Sequence, residues 1–231
     1  MMLEVNSLSA YYGLFQALFD VDLRVEEGEC ISLIGANGAG KTTLMRTLVG
    51  ALKVDSASVL FEGRPVGGQS ERQQLARGVT LVPEGRRLFP SLTVRENIEL
   101  AQHHGRPGKW DTELLFQELP ALAELQNRMS TELSGGQQQL VAISRALVTN
   151  PRLLLCDEIS LGLSPYAVDE VYRLLNRARK DGMSVVLVEQ NVQRALAEAD
   201  RFYCIQKGRV VLDGPAADAD HHAVANAYFG V

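Results

Sequence analysis

The stretch Gly35-Ala36-Asn37-Gly38-Ala39-Gly40-Lys41-Thr42 fits the pattern G-x-x-x-x-G-K-[ST]. An apolar run that reads as a strand, Cys30–Ile34, precedes it, and a helical pattern over residues 41–49 follows it. Glycines let the backbone wrap phosphate oxygens with its N–H groups pointing inward, and a helix N-terminus adds partial positive charge. The stretch therefore predicts a nucleotide-phosphate loop in which Lys41 reaches the β- and γ-phosphates, Thr42 binds Mg²⁺ and Thr43 reaches another phosphate.

Along the rest of the sequence, short apolar runs alternate with helical patterns. Continuous apolar runs are typical of strands in a parallel sheet that is covered on both faces. We expect three more such strands, at residues 79–82, 153–156 and 184–188. The helix Pro165–Lys180 has Ser164 as its cap, proline at its first position, and ends before Gly182. This order predicts an α/β fold.

Two regions depart from the alternation. Short alternating strands near the start of the chain predict an antiparallel layer beside the main sheet, at residues 3–5, 20–25 and 59–61. Residues 93–149 contain helical patterns only, among them residues 138–147, and an exposed loop is expected at 103–109. We therefore expect one domain, with an α/β core over 1–92 and 150–231 and an inserted helical subdomain over 93–149.

Composition limits the classes of protein that fit. The 231 residues are 46% hydrophobic, which is enough for a packed core and excludes intrinsic disorder. The net charge of −5 argues against bulk nucleic-acid binding, which needs a basic surface. Three widely spaced cysteines in apolar runs, Cys30, Cys156 and Cys204, predict buried, reduced thiols.

An acidic pair ends the strand predicted at residues 153–156. In a fold with a phosphate loop, an aspartate here supports Mg²⁺, and an adjacent carboxylate can deprotonate the attacking water. Asp157 is therefore the expected metal residue and Glu158 the expected general base. Without the phosphate loop, a solvated acid pair at a strand end would be an equally good interpretation.

A further motif, Leu133-Ser134-Gly135-Gly136-Gln137, opens a helical pattern shortly before the acidic pair. The residues of this motif and its place ahead of the acidic pair resemble the signature motif of ABC-type ATPases. The resemblance extends over nearly the whole chain. The chain looks most similar to LivF-type ATP-binding subunits. The stretches that carry this likeness are Ser9-Ala10-Tyr11-Tyr12-Gly13, Ile34 to Gly40, Val82-Pro83-Glu84-Gly85-Arg86-Arg87, Ser160-Leu161-Gly162-Leu163, Val188-Glu189-Gln190-Asn191 and Ala227-Tyr228-Phe229-Gly230.

The resemblance implies a set of site residues. Tyr12 matches the aromatic residue that stacks on adenine, with Tyr11 as the fallback. Glu84 replaces a glutamine usual in the family, and its carboxylate would either ligate the metal, directly or through water, or swing away from it. Gln190 replaces a histidine that contacts the γ-phosphate and cannot carry its charge. Ile159 replaces a proline after the catalytic glutamate, and Ser164 replaces an aspartate in the loop 160–164.

The resemblance also implies partners. In the family, two ATPase subunits pack head to tail, so that Ser134, Gly135, Gly136 and Gln137 of one subunit close over ATP held by the other. Because this chain shows no membrane segment, two separate permease subunits are expected, with an extracytoplasmic substrate-binding protein acting indirectly. The resemblance thus implies an importer ATPase at the cytoplasmic face of the plasma membrane, using ATP and Mg²⁺ to take up branched-chain or other hydrophobic amino acids. Urea, amides or aromatic acids stay open as cargo.

Two other classes of protein stay open as alternatives. A P-loop kinase or GTPase would not need the signature motif, and the guanine-reading Asn-Lys-x-Asp motif is not present in the sequence. A non-transport ABC ATPase acting on nucleic acid or ribosomes usually carries tandem domains or basic arms. Neither alternative matches the sequence as well as the importer subunit does.

Overall fold

The structure is a computed structural model that describes residues 1–229, with the backbone alone for Phe229. The end of the predicted Ala227 to Gly230 motif lies outside these residues. The described residues form ten strands: β1 (Leu3–Tyr12), β2 (Phe15–Val25), β3 (Cys30–Ile34), β4 (Val59–Phe61), β5 (Arg64–Pro65), β6 (Val79–Val82), β7 (Leu153–Asp157), β8 (Ser184–Val188), β9 (Arg201–Gln206) and β10 (Arg209–Pro215). They also form nine α-helices: α1 (Lys41–Leu48), α2 (Glu71–Arg77), α3 (Val94–His104), α4 (Thr112–Glu118), α5 (Pro120–Ala123), α6 (Gly135–Leu147), α7 (Pro165–Lys180), α8 (Val192–Glu198) and α9 (His221–Phe229).

A six-stranded sheet forms the centre of the fold, in the order β10-β9-β3-β8-β7-β6. Five of its strands are parallel, and only β10 runs antiparallel. Every residue of β3, β7 and β8 is buried, as their continuous apolar sequences predict. The carboxyl ends of these three neighbouring strands meet at one edge, which brings the phosphate loop, the acidic pair and Glu189 together. The predicted α/β fold is confirmed.

The predicted antiparallel layer is confirmed, with β4 at its predicted bounds and with β1 and β2 longer than predicted. It has the order β2-β1-β4-β5. The pairing of β1 with β2 shifts register three times, and Ser7 and Asp20 have positive φ angles of 45° and 47°. Such bulges break the two-residue alternation that marks a strand in a sequence. The predictions of 3–5 and 20–25 therefore stopped at these irregularities.

Two predicted helix boundaries are wrong. Helix α6 begins at Gly135 rather than at residue 138, because Ser134 and Gln137 form a capping box ahead of the apolar periodicity. Helix α3 continues through His103 and His104, so the loop begins at residue 105. Each imidazole Nδ1 contacts the backbone carbonyl four residues earlier, at 2.7 and 2.9 Å. By contrast, α7 has the bounds that its caps predict, with the Ser164 hydroxyl accepting from Ala167 N.

The hairpin of β9 and β10 was not predicted. Its turn, Lys207 and Gly208, has φ angles of 46° and 78°, which match a tight hairpin turn. The turn docks on the phosphate loop through Gly208 N, which donates to Ala39 O at 2.8 Å, and on β2 through Gly208 O, which accepts from Phe19 N at 2.8 Å. The hairpin therefore contributes one wall of the site described below.

Apolar side chains fill both faces of the central sheet. One cluster joins the sheet to α6 and α7, and a second joins it to α1 and the antiparallel layer. Cys30, Cys156 and Cys204 are free and buried, as predicted. Within residues 1–229, no helix is both long and apolar enough to cross a membrane.

Candidate functional site

The phosphate loop connects β3 to α1 through two closely packed glycines. Gly40 caps α1 with a φ of 115°, a left-handed conformation that favours glycine. A Cβ atom on Gly35 would lie 2.2 Å from the carbonyl oxygen of Ile205. Glycine is therefore required at position 40 for the backbone conformation and at position 35 for the close approach of β9.

Lys41 is buried at the first position of α1. Its Nζ donates to Gly35 O at 2.6 Å and to Ala36 O at 3.1 Å. Burial lowers the pKa of this ammonium group, whereas the charges of Glu158 and Asp157 raise it. The charge is thus held inside the loop by carbonyl groups, close to the two carboxylates at the end of β7.

A cavity of about 560 Å³ opens beside this loop and collects most of the predicted side chains. Its walls include Tyr12, Asn37, Gly38, Gly40, Lys41, Thr42, Thr43, Glu84, Glu158 and Gln190, and also Phe15, Gln16, Ala17, Phe19, Lys207 and Gly208. The second group was not predicted. Phe15 and Phe19 follow Tyr12 closely in sequence, but nothing local in the sequence links Lys207 to the loop.

The two candidate adenine-stacking residues lie in different places. Tyr12 lines the nucleotide-sized cavity, whereas Tyr11 lies beside Ser7, Ser9 and Lys53 in a separate surface depression. Both rings are substantially exposed. Strand alternation explains the difference, because neighbouring residues of β1 point to opposite faces. The position of Tyr12 favours it over Tyr11.

Glu158 is held at the end of β7 by contacts with the end of β8. Its backbone has a φ of 52°, and its N–H donates to Val188 O at 2.9 Å. The Gln190 Nε2 donates to Glu158 Oε2 at 2.6 Å. Gln190 therefore contacts the predicted general base directly.

Asp157 is buried behind Glu158, beside a smaller cavity of about 140 Å³ that Thr42 and Glu84 also line. Burial raises the pKa of Asp157, as do Glu158 and Glu84, while a hydrogen bond with Thr42 and the charge of Lys41 lower it. Among the described residues, Asp157 Oδ1 has no hydrogen-bond partner. Nor do these residues contain a group of three or more His, Cys, Asp or Glu side chains that could hold a metal on their own.

Glu189 fills the space behind the acidic pair. It is buried, and its Oε1 accepts hydrogen bonds from Tyr172 Oη at 2.8 Å and Ser160 N at 3.2 Å. Its Oε2 accepts from Ser160 Oγ at 2.5 Å. Burial raises the pKa of Glu189, and the bonds from Ser160 and Tyr172 oppose that rise.

The signature residues lie outside the cavity, at the start of α6. The Ser134 N–H donates to Gln137 Oε1 at 2.9 Å, and Gln137 N donates to Ser134 Oγ at 3.4 Å. A Cβ atom on Gly136 would lie 2.8 Å from Ala167 Cβ. Arg86 packs over Gly135 and donates to Gln138 Oε1 at 3.0 Å. The structure therefore does not bring Ser134, Gly135, Gly136 and Gln137 to the phosphate loop of the same chain.

Known proteins have similar sequences and the same fold. A family model described as ABC transporter matches residues 18–160. The high-affinity branched-chain amino acid transport ATP-binding protein BraG of Pseudomonas aeruginosa is 40% identical, over 99% of this chain and 100% of BraG. The probable branched-chain amino acid transport ATP-binding protein LivF of Archaeoglobus fulgidus is 31% identical, over 96% of this chain and 95% of LivF.

Solved structures of ATP-binding cassettes have the same fold as this chain. A dimeric post-hydrolysis ATP-binding cassette bound to ADP and Pi has a TM-score of 0.80 at 26% identity, covering 93% of this chain and 99% of that one. An ADP-bound conformation of another ABC transporter cassette has a TM-score of 0.81 at 26% identity, covering 100% of this chain and 99% of that one. The chain therefore belongs to the ABC transporter family, in which it is an ATP-binding subunit with ATPase activity.

Proposed function

We propose that the chain hydrolyses ATP to drive uptake of branched-chain or other hydrophobic amino acids by an ABC importer. The observation that carries the ATPase proposal is the single cavity that joins the phosphate loop to Tyr12, Glu84, Glu158 and Gln190. The cargo rests on BraG and LivF, whose names give branched-chain amino acid transport.

In this proposal, the phosphate loop binds the triphosphate of ATP. The backbone of Gly35, Ala36, Asn37, Gly38, Ala39 and Gly40 supplies the cradle, and the side chains of Lys41 and Thr43 supply further donors. Lys41 exchanges its two carbonyl contacts for phosphate oxygens, because an ammonium interacts more strongly with an anion than with a neutral carbonyl. Tyr12 stacks on the adenine at the outer end of the cavity.

The residues around Asp157 fit a magnesium ion. Mg²⁺ binds through one or two carboxylates together with substrate phosphates and water. The unpartnered Asp157 Oδ1, the Thr42 hydroxyl beside it and the Glu84 carboxylate provide such oxygens. When bound, the ion would neutralise charge on the β- and γ-phosphate oxygens.

Glu158 acts as the general base on the water that attacks the γ-phosphorus. A water oxygen forms the new bond to phosphorus, the bond to the β–γ bridging oxygen breaks, and the water proton passes to Glu158. ADP and inorganic phosphate result. Gln190 fixes the Glu158 carboxylate through the 2.6 Å hydrogen bond and can donate to a γ-phosphate oxygen, without adding charge.

A second ATPase subunit completes each site in this proposal. The residues Ser134, Gly135, Gly136 and Gln137 lie away from the phosphate loop of their own chain, which suits a role at the site of a partner. Helix N-terminal N–H groups favour an anion such as the γ-phosphate. The dimer is formed either with a second copy or with a related ATPase.

The proposal also covers the domain organisation of the chain, its coupling to the permease subunits and its location. The chain is one domain, with a core over 1–92 and 150–231 and a helical subdomain over 93–149, where the described residues form α3 to α6 and no named strand. This subdomain and the Glu84 loop transmit closure to two permease subunits. The chain lies on the cytoplasmic face of the inner membrane, and an extracytoplasmic binding protein selects the cargo.

Uptake by the assembled transporter tests this function. The tagged chain is purified with its membrane partners and binding protein, reconstituted into vesicles and supplied with ATP. We expect labelled leucine to accumulate with the wild type but not with Glu158→Gln. Accumulation of labelled urea or an aromatic acid instead would change the cargo while leaving the transport function intact.

A nucleic-acid binding assay tests the other class of function. We expect no tight binding, because the chain has a net charge of −5. Tight, salt-sensitive binding of DNA or RNA in a filter assay would contradict the transport function and favour a non-transport ABC ATPase.

A further inference from the structure

Glu189 and Gln190 are consecutive residues that hold two points of the same segment. Gln190 contacts the Glu158 side chain, whereas Glu189 binds both the backbone N–H and the hydroxyl of Ser160. Ser160 lies two residues after the general base. The end of β8 therefore fixes the segment that leaves β7 from both sides of Ile159, which is itself buried.

Local hydrogen bonds extend this attachment along the chain. Leu161 N donates to Glu158 O at 3.3 Å, and Leu163 N donates to Ser160 O at 3.2 Å. Ser164 then caps α7. Residues 158–164 thus form a tight turn whose position depends on where Ser160 is held.

A carboxylate suits this position better than an amide. Three donors converge on Glu189: the Ser160 N–H, the Ser160 hydroxyl and the Tyr172 hydroxyl. Two carboxylate oxygens accept all three. An amide whose oxygen accepts from the Ser160 N–H and the Tyr172 hydroxyl turns its NH2 towards the Ser160 hydroxyl, which must then accept instead of donating to a charged oxygen. Burying a carboxylate costs free energy, and the three hydrogen bonds offset that cost.

We propose that Glu189 is a positioning residue, which acts through Ser160 to set the location of Glu158 and of the loop 160–164. This inference rests on the proposed function, because it assumes that Glu158 is the base. Glu189 does not line the cavity beside the phosphate loop, so it touches neither the nucleotide nor the attacking water. Its effect is on the rate of the chemical step, since small displacements of a catalytic group cost large factors in rate.

Two variants separate the Ser160 contacts from the other contact of the same carboxylate. Ser160→Ala removes one bond to the turn, and Tyr172→Phe removes one bond to α7. Both are assayed in the assembled transporter, with Glu189→Gln, for ATP affinity, KM and kcat. We expect Ser160→Ala and Glu189→Gln to lower kcat roughly tenfold or more while ATP affinity stays within about twofold. Tyr172→Phe should lower the melting temperature and leave kcat within about twofold.

The double variant Ser160→Ala/Glu189→Gln tests whether the two residues act through one contact. We expect its kcat to match that of Glu189→Gln, because residues that act as a unit are not additive. The proposal is overturned if Ser160→Ala leaves kcat unchanged, if Tyr172→Phe lowers kcat equally, or if the two losses multiply. Should Glu189→Gln fail to fold, the comparison of Ser160→Ala with Tyr172→Phe decides alone. A wild-type transporter without ATPase activity would instead refute the proposed function.

Discussion

The Gln190 amide donates to the Glu158 carboxylate across a distance of 2.6 Å, from the end of β8 to the end of β7. The Glu158 backbone is bound to the same strand through Val188 O. Side chain and backbone of the proposed base are therefore both oriented by β8. Because glutamine carries no charge, this contact orients the carboxylate without protonating it.

Removing the Gln190 amide should slow hydrolysis more than it weakens binding. We expect Gln190→Leu to lower kcat roughly ten- to a hundredfold, because Glu158 loses the donor that orients it. Gln190→His keeps one N–H donor and should recover part of the rate. Steady-state ATPase assays with measured ATP affinities check this, and an unchanged kcat for Gln190→Leu would contradict the role of Gln190.

Replacing Lys41 should weaken nucleotide binding. The buried ammonium of Lys41 lies in the phosphate loop, so Lys41→Met removes the charge that faces the phosphates. We expect ATP affinity to fall at least roughly tenfold, since hydrogen bonds to charged groups contribute about 1.5–3 kcal/mol each. Lys53→Met, at an exposed lysine outside the main cavity, is the matched control and should bind ATP normally. Isothermal titration calorimetry compares them.

Tyr11 provides a matched control for a substitution of its neighbour Tyr12. Tyr12 lines the nucleotide cavity and Tyr11 does not. We expect Tyr12→Ala to weaken ATP binding roughly five- to a hundredfold, since stacking on a base contributes about 1–3 kcal/mol. Tyr11→Ala should leave the affinity unchanged. The reverse result in an equilibrium binding assay would assign adenine stacking to Tyr11.

Asp157 should reduce the stability of the nucleotide-free protein. Because its folded-state pKa is raised, chiefly by burial, stability from this group is present at low pH and lost as pH rises through the folded-state pKa. Asp157→Asn should therefore melt at a higher temperature at pH 7, and the difference should shrink as pH falls towards the ordinary value of 3.8. In a chain of this size, about 1 kcal/mol corresponds to roughly 2–4 °C. A lower melting temperature at pH 7 would contradict this.

Local signals explain what the sequence predicted well. Helix α7 has its predicted bounds because Ser164 and Pro165 define its start from within the sequence. The phosphate loop was found because its glycines and Lys41 are contiguous. In β1 and β2, by contrast, bulges such as that at Ser7 interrupt the pattern, so the strands were predicted too short.

Contacts between distant segments explain what was missed. Gly208 binds Ala39 O through a turn that carries no phosphate-binding motif, so neither Lys207 nor the hairpin could be assigned to the site. Glu189 has no local signal in the sequence beyond its place in the family-like stretch Val188-Glu189-Gln190-Asn191. Its partners Ser160 and Tyr172 are brought to it by the packing of β8 against the segment after β7 and of α7 over the sheet.

Single-turnover measurements show whether ATP is hydrolysed with Glu158 as the base. Assembled transporters that contain either the wild-type chain or Glu158→Gln are each mixed with γ-labelled ATP and Mg²⁺, and bound ATP and released phosphate are counted. We expect both proteins to bind ATP with similar affinity, and phosphate release by the variant to be slower by at least roughly a hundredfold. Equal rates of phosphate release would show that Glu158 is not the base, and a wild type that binds no ATP would show that the chain does not use this nucleotide.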